Sequence, residues 1–197
     1  MKISNIYLII ATIIMLLIFA NNKQIEAMYV MSNLDDRSYL VRNEEDKKKA
    51  ADTLAKIRKN LYQLRDYVYQ HRQSYDPTYK KYVKTMYSRM ENMVISENTP
   101  DSNYTSYTVN KGEEMIFCIR SKKTGKIHRL NLLMFVAIHE MAHVACPEEG
   151  HTPLFGQIFM FLLGQAITAG IYKYEDFKMH PTEYCGMTIN DGPNMNA

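Results

Sequence analysis

Apolar residues along this chain follow four different patterns. Residues 6–20 (IYLIIATIIMLLIFA) are continuously apolar. Further on, Leu54, Ile57, Leu61, Leu64 and Val68 recur in steps of three and four, which places them on one face of a helix. Tyr79, Val83, Met86, Met90 and Met93 repeat that spacing after a break at Asp76-Pro77. Two amphipathic helices, packed as a hairpin, are predicted across 42–96. Residues 106–110 (SYTVN) and 114–121 (EMIFCIRS) are rich in aromatic and β-branched side chains and flank Lys111-Gly112, so they predict the strands of a hairpin. A second turn at 123–126 leads into 127–130. Finally, 130–138 (LNLLMFVAI) and 154–169 (LFGQIFMFLLGQAITA) are apolar nearly throughout and predict two helices buried in a core. Residues 97–102 (ENTPDS) are expected to be a linker, and the tail from Met179 has no regular pattern.

The uncharged stretch 3–22 is about long enough to cross a bilayer, which takes roughly 20 residues. Cleavage after Ala20 or Ala27 would leave Ile18 or Ile25 where a small residue is needed, so an uncleaved signal anchor over 1–22 is expected, with a signal peptide as the alternative. Lys2 precedes the segment, which predicts a single-pass membrane protein with the rest of the chain lumenal or extracellular, or a secreted one after cleavage. The helical region 42–91 carries thirteen basic against seven acidic residues, whereas the chain from Asp101 onward carries eight against ten. The basic excess is read as a solvated helix face, and no nucleic acid is expected as a partner, because basic and aromatic residues do not interleave along the chain. Three cysteines, Cys118, Cys146 and Cys185, are too few for a disulfide scaffold; they are read as small core residues, although one bridge is possible.

The candidate chemistry is concentrated at His139-Glu140-Met141-Ala142-His143. Histidines at i and i+4 lie one above the other on a helix, so two imidazoles can grip one metal ion. Glu140 then stands where a carboxylate can take a proton from a metal-activated water. A third ligand must come from beyond that helix turn. Pro147 ends the helix and Gly150 lets the chain reverse, which returns His151 toward the metal. Thr152 and Pro153 suit the N-cap and first turn of the next helix. Glu148, Glu149 and Glu175 are rival ligands, and Cys146 is a conceivable one; His151 is preferred, since three histidines with one open position form a catalytic zinc set.

The string HEMAHVACPEEGHTPLF (139–155) resembles the zincin metallopeptidases of the WLM and SprT type, most closely the WLM-like metallopeptidases of large DNA viruses. In these an H-E-x-x-H helix is followed by a third histidine and then a phenylalanine, here His151 and Phe155. The interval between His143 and His151 departs from the family pattern, being longer than in WLM proteins and shorter than in most SprT proteins. The resemblance covers about 104–186. It implies an α+β fold in which a small zincin-like domain (103–197), with a short antiparallel sheet and the H-E-x-x-H helix, follows the anchor and helical hairpin. It also implies Zn2+ held by His139, His143 and His151, with Glu140 as general base, in a peptidase acting on protein or peptide substrates. An edge strand beside the helix would hold the substrate, and Met115 to Arg120 is the candidate. Tyr184, or another of the fifteen tyrosines, is expected to stabilise the oxyanion. The competing expectation is a membrane-anchored binding or structural protein whose zinc site is not catalytic.

Overall fold

The computed structural model describes Tyr7, Ile10, Thr12 and residues 27–191. The amphipathic stripe forms α1 (Lys47–Gln70), with Leu54, Ile57, Leu61, Leu64 and Val68 fully buried. A 3-10 turn (Arg72–Ser74) leads to α2 (Pro77–Arg89). The break at Asp76-Pro77 is a helix start: the Asp76 carboxylate accepts the Thr78 N–H at 2.8 Å and Pro77 occupies the first turn. Arginines and tyrosines bolt the pair together. The Arg65 guanidinium lies 4.4 Å from the Tyr62 ring and 4.7 Å from Tyr87, and Tyr87 stacks on Tyr69 at 3.9 Å. The basic–aromatic interleaving invisible along the chain is therefore present across the helix pair.

Three small sheets complete the α+β fold. β1 (Ala27–Met31) and β2 (Ser38–Arg42) form an antiparallel hairpin, and Tyr39 and Val41 of β2 are buried in the core. β3 (Val94–Glu97), β4 (Tyr107–Val109) and β5 (Glu114–Phe117) form one sheet in the order β3-β5-β4. β5 runs parallel to β3, with Ile95 opposite Met115, and antiparallel to β4, with Thr108 opposite Met115. The sheet is thus mixed, not antiparallel as expected. β3 also occupies ground assigned to the helices and linker: Glu97 is buried because Arg120 Nε and the Arg42 N–H both donate to its carboxylate, at 2.7 and 2.9 Å. The hairpin of β6 (Thr182–Tyr184) and β7 (Met187–Ile189) stands in the tail expected to be irregular.

α3 (Leu130–Ala145) and α4 (Pro153–Thr168) are the two apolar helices. α3 is the central element, packed against α1, α2, α4 and β4. Buried residues from Tyr39 to Cys185 form one continuous core around it. Cys118 and Cys185, read as core residues with one bridge left possible, are joined by a disulfide that ties the β6–β7 turn to the chain just after β5.

The membrane topology requires correction. The anchor expected over 1–22 lies almost entirely outside the described residues, and no helix among those described is long and apolar enough to cross a membrane. α4 is apolar but has only 16 residues and packs against α3, so its hydrophobicity is that of a core helix. Neither an N-terminal anchor nor a single-pass membrane placement is retained.

Candidate metal centre

α3 ends at the Cys146 N–H, which donates to Ala142 O at 2.8 Å, and Pro147 follows. The last carbonyls of a helix have no intrahelical partner, and two cations satisfy them here. Arg89 donates to Val144 O at 2.7 Å, while Lys111 Nζ donates to Cys146 O at 3.2 Å and Glu148 O at 2.8 Å. Lys111 also pairs with the Glu149 carboxylate at 3.0 Å. It is aimed there by the β4–β5 turn, where Asn110, Lys111 and Gly112 all have positive φ. Gly112 is required: a Cβ would come within 2.9 Å of Val144 Cγ1 on α3. The pinned loop reverses at Gly150 (φ 76°), and Thr152 caps α4 by accepting the Phe155 N–H at 3.2 Å.

This local folding brings His139, His143 and His151 together, with ligand atoms all within 4.8 Å of one another. His139 Nε2 and His151 Nε2 are 3.0 Å apart, a separation that bonds of about 2.0–2.1 Å to a single ion can bridge. Phe155 supports the cluster, stacked on His143 with ring centres 4.1 Å apart and edge-on to His139 and His151 at 4.9 Å. Burial, reinforced by the neighbouring histidines, lowers the His139 pKa to about 3; burial, His151 and Lys111 lower that of His143 to about 4. Both imidazoles are therefore neutral at pH 7, the form that ligates a metal. Three imidazole nitrogen donors suit zinc among other first-row metals, so the residues fit the metal that the spacing predicts.

Glu140 points away from solvent, only 5% exposed, and lines the same cavity. Burial raises its pKa to about 7; the Thr108 hydroxyl on β4, donating to Oε2 at 3.0 Å, acts in the opposite direction. Opposite the helices stands a wall made of the 104–111 segment and the β6–β7 hairpin. Tyr184 is buried there, its hydroxyl 2.5 Å from Ser106 Oγ, and Ser106 in turn accepts the Cys118 N–H at 3.0 Å. Burial pushes the Tyr184 phenol well above its ordinary value, so it remains a hydrogen-bond donor. The cavity between the walls measures about 1410 Å³.

Several candidates take other roles. Glu149 is engaged by Lys111, and Glu175 is gripped by Arg129 and Asn131 away from the histidines. Cys146 is buried at the end of α3. β3 and β4 are the edges of the sheet and β5, with Met115 and Phe117, is interior to it; the edge strand facing the cavity is β4, the one before the one expected. Thr108 and Lys111 were not anticipated, and nothing in their local sequence marks them, because they act across the fold, Thr108 on Glu140 of α3 and Lys111 on the loop that follows it.

The fold and site together define an α+β protein with a three-histidine candidate metal centre in a cleft. By sequence the chain is 43% identical to the uncharacterized protein R325 of Acanthamoeba polyphaga mimivirus over 187 residues, covering 95% of this chain and 94% of that one. It belongs to the same family as that protein. It is also 34% identical to the uncharacterized protein 136R of Invertebrate iridescent virus 6 over 55% of this chain and 60% of the other. The uncharacterized protein 042R of Invertebrate iridescent virus 3 is 39% identical over 42% of this chain and 50% of its own. No family model and no solved structure matches the chain.

Proposed function

We propose that this protein is a zinc-dependent metallopeptidase. The observation that carries this reading is the convergence of His139, His143 and His151 beside a buried Glu140 on the floor of an open cleft. Its H-E-x-x-H string and the Phe155 that follows His151 resemble those of WLM and SprT-type zincins, and the packing of Phe155 beneath the three imidazoles agrees with that resemblance. Three protein ligands leave the fourth position free, which favours a catalytic over a purely structural zinc.

His139, His143 and His151 hold the zinc. When bound, it supplies Lewis acidity that polarises a carbonyl and acidifies water. Glu140 accepts the proton from the attacking water and delivers it to the leaving amine, the Thr108 hydroxyl orienting its carboxylate. Among the described residues β4 pairs with β5 alone, which leaves its outer edge to take an extended peptide as an added strand across the cleft. Tyr184 donates a hydrogen bond toward the oxyanion from the opposite wall. Glu140→Gln should retain zinc and lower the cleavage rate of an unfolded protein substrate by at least about 100-fold. Equal rates in Glu140→Gln and wild type would refute the assignment.

A further inference from the structure

The cleft extends past the metal centre along α3 and α4. Phe135 and Val136 line it one turn before His139, and Phe159 and Met160 line it from α4. Phe135 and Phe159 meet edge to face at 5.4 Å, and Phe159 is 5.2 Å from the His139 ring, so this apolar wall continues directly from a metal ligand. Met187 of β7 faces it from across the cleft.

Gly156 sits on this wall, one turn before Met160, in the first turns of α4. Glycine is among the poorest helix formers, so local propensity does not call for it. Its φ lies outside the left-handed region, and a Cβ there would meet nothing within 4 Å. Gly112 is different, because it combines a positive φ with close contact to Val144. At Gly156 neither backbone conformation nor packing requires the missing side chain. What its absence leaves is open space at a residue that lines the cavity.

We propose that Gly156 determines substrate specificity by keeping open a subsite, walled by Phe135, Val136, Phe159, Met160 and Met187, that takes a large apolar side chain next to the scissile bond. This rests on the peptidase reading. A leucine, methionine or phenylalanine side chain in the subsite would exchange water for aromatic and thioether surface, whereas a charged one would be desolvated without a partner. Peptides bearing such a residue beside the cleaved bond are the substrate class.

Zinc-directed hydroxamates test the subsite without requiring turnover. Zinc content and the affinities of acetohydroxamate and of a hydroxamate bearing an isobutyl group are measured for wild type, Gly156→Ala and Gly156→Leu. Each buried methylene is worth about fourfold, so wild type should prefer the isobutyl compound on the order of 50-fold. Gly156→Leu should abolish that preference and Gly156→Ala should reduce it, with zinc content and acetohydroxamate affinity unchanged in both. Zinc-loaded wild type that shows no preference, or Gly156→Leu that keeps it, overturns the subsite while leaving the peptidase reading intact. A well-folded wild type that binds no zinc overturns both.

Discussion

One wall of the cleft comes from a single stretch of chain, the other from segments that meet only in the fold. His139, Glu140, His143, His151, Phe155 and Gly156 all fall on α3, the following loop and the first turns of α4. Facing them, Ser106 and Tyr184 are 78 residues apart and are held together by their own hydrogen bond and by the Cys118–Cys185 disulfide. The first wall is positioned by helix geometry, the Thr152 cap and a reversal at Gly150, all local devices. Two long-range contacts add to these: Arg89 on the end of α3 and Lys111, which reaches the loop from the facing wall. The second depends on long-range closure. Binding of a metal should therefore survive damage to the second wall, while handling of substrate should not.

The largest test of this contrast removes the disulfide. Cys118→Ser/Cys185→Ser reopens a loop of 67 residues, which should cost about 4 kcal/mol of stability by urea unfolding. Zinc content per folded chain should stay the same, and peptide cleavage should fall as Tyr184 loses its anchorage. If zinc is lost along with the hairpin, the walls are not independent. Lys111→Met probes the point where the second wall reaches across to the first. It removes both carbonyl contacts on the His151 loop and the pair with Glu149, and competition with a chelator should show zinc affinity about tenfold weaker. An unchanged affinity would mean that Gly150 and Thr152 alone set the loop. Thr108→Val leaves the Glu140 carboxylate buried without its donor; thermal unfolding should register a loss of about 1 kcal/mol, and no change would show that the bond is not formed in solution.

The smallest effect near neutrality is the pH response of the metal-free protein. His139 and His143, with pKa values of about 3 and 4, are joined by His128, lowered by its burial beside β6. Below about pH 6.5 the unfolded chain binds protons that these folded residues refuse, so their contribution is complete above that pH and is lost as pH falls. Glu140, raised to about 7, acts in the opposite direction: its contribution is present below about pH 4.5 and is lost as pH rises toward 7. The histidines outnumber it, so stability should decline from pH 6.5 to 5, little at first. A rise over that range in guanidinium titrations would show that the imidazoles are not buried as described.

The two walls also differ in how far the sequence reveals them. Helical periodicity marks α1 through Leu54 to Val68, and the i, i+4 spacing marks His139 and His143, because both signals are local. Pro147, Gly150, Thr152 and Pro153 describe the return of His151 in the same local terms. β3 could not be read this way. Its Val94-Ile95-Ser96-Glu97 is short, and its burial depends on Arg42 and Arg120, distant partners that neutralise Glu97. The choice of β4 over β5 as the sheet edge depends on β3 pairing with β5, so missing the one displaced the other. Tyr184 was one tyrosine among fifteen until the disulfide and Ser106 brought it to the cleft. The apolar segment at 6–20 carried a strong membrane signal, yet no described helix supports a membrane span.

The proposed chemistry depends on His139, His143 and His151 holding one metal ion together. Its most direct test is the zinc content of the purified chain, by mass spectrometry of the metal, for wild type and His151→Ala. One zinc per chain in wild type, lost or greatly weakened in a His151→Ala variant of unchanged helical content, is the predicted result. A well-folded wild type without zinc, or a variant that holds it as tightly, would show that the three histidines do not form a zinc site.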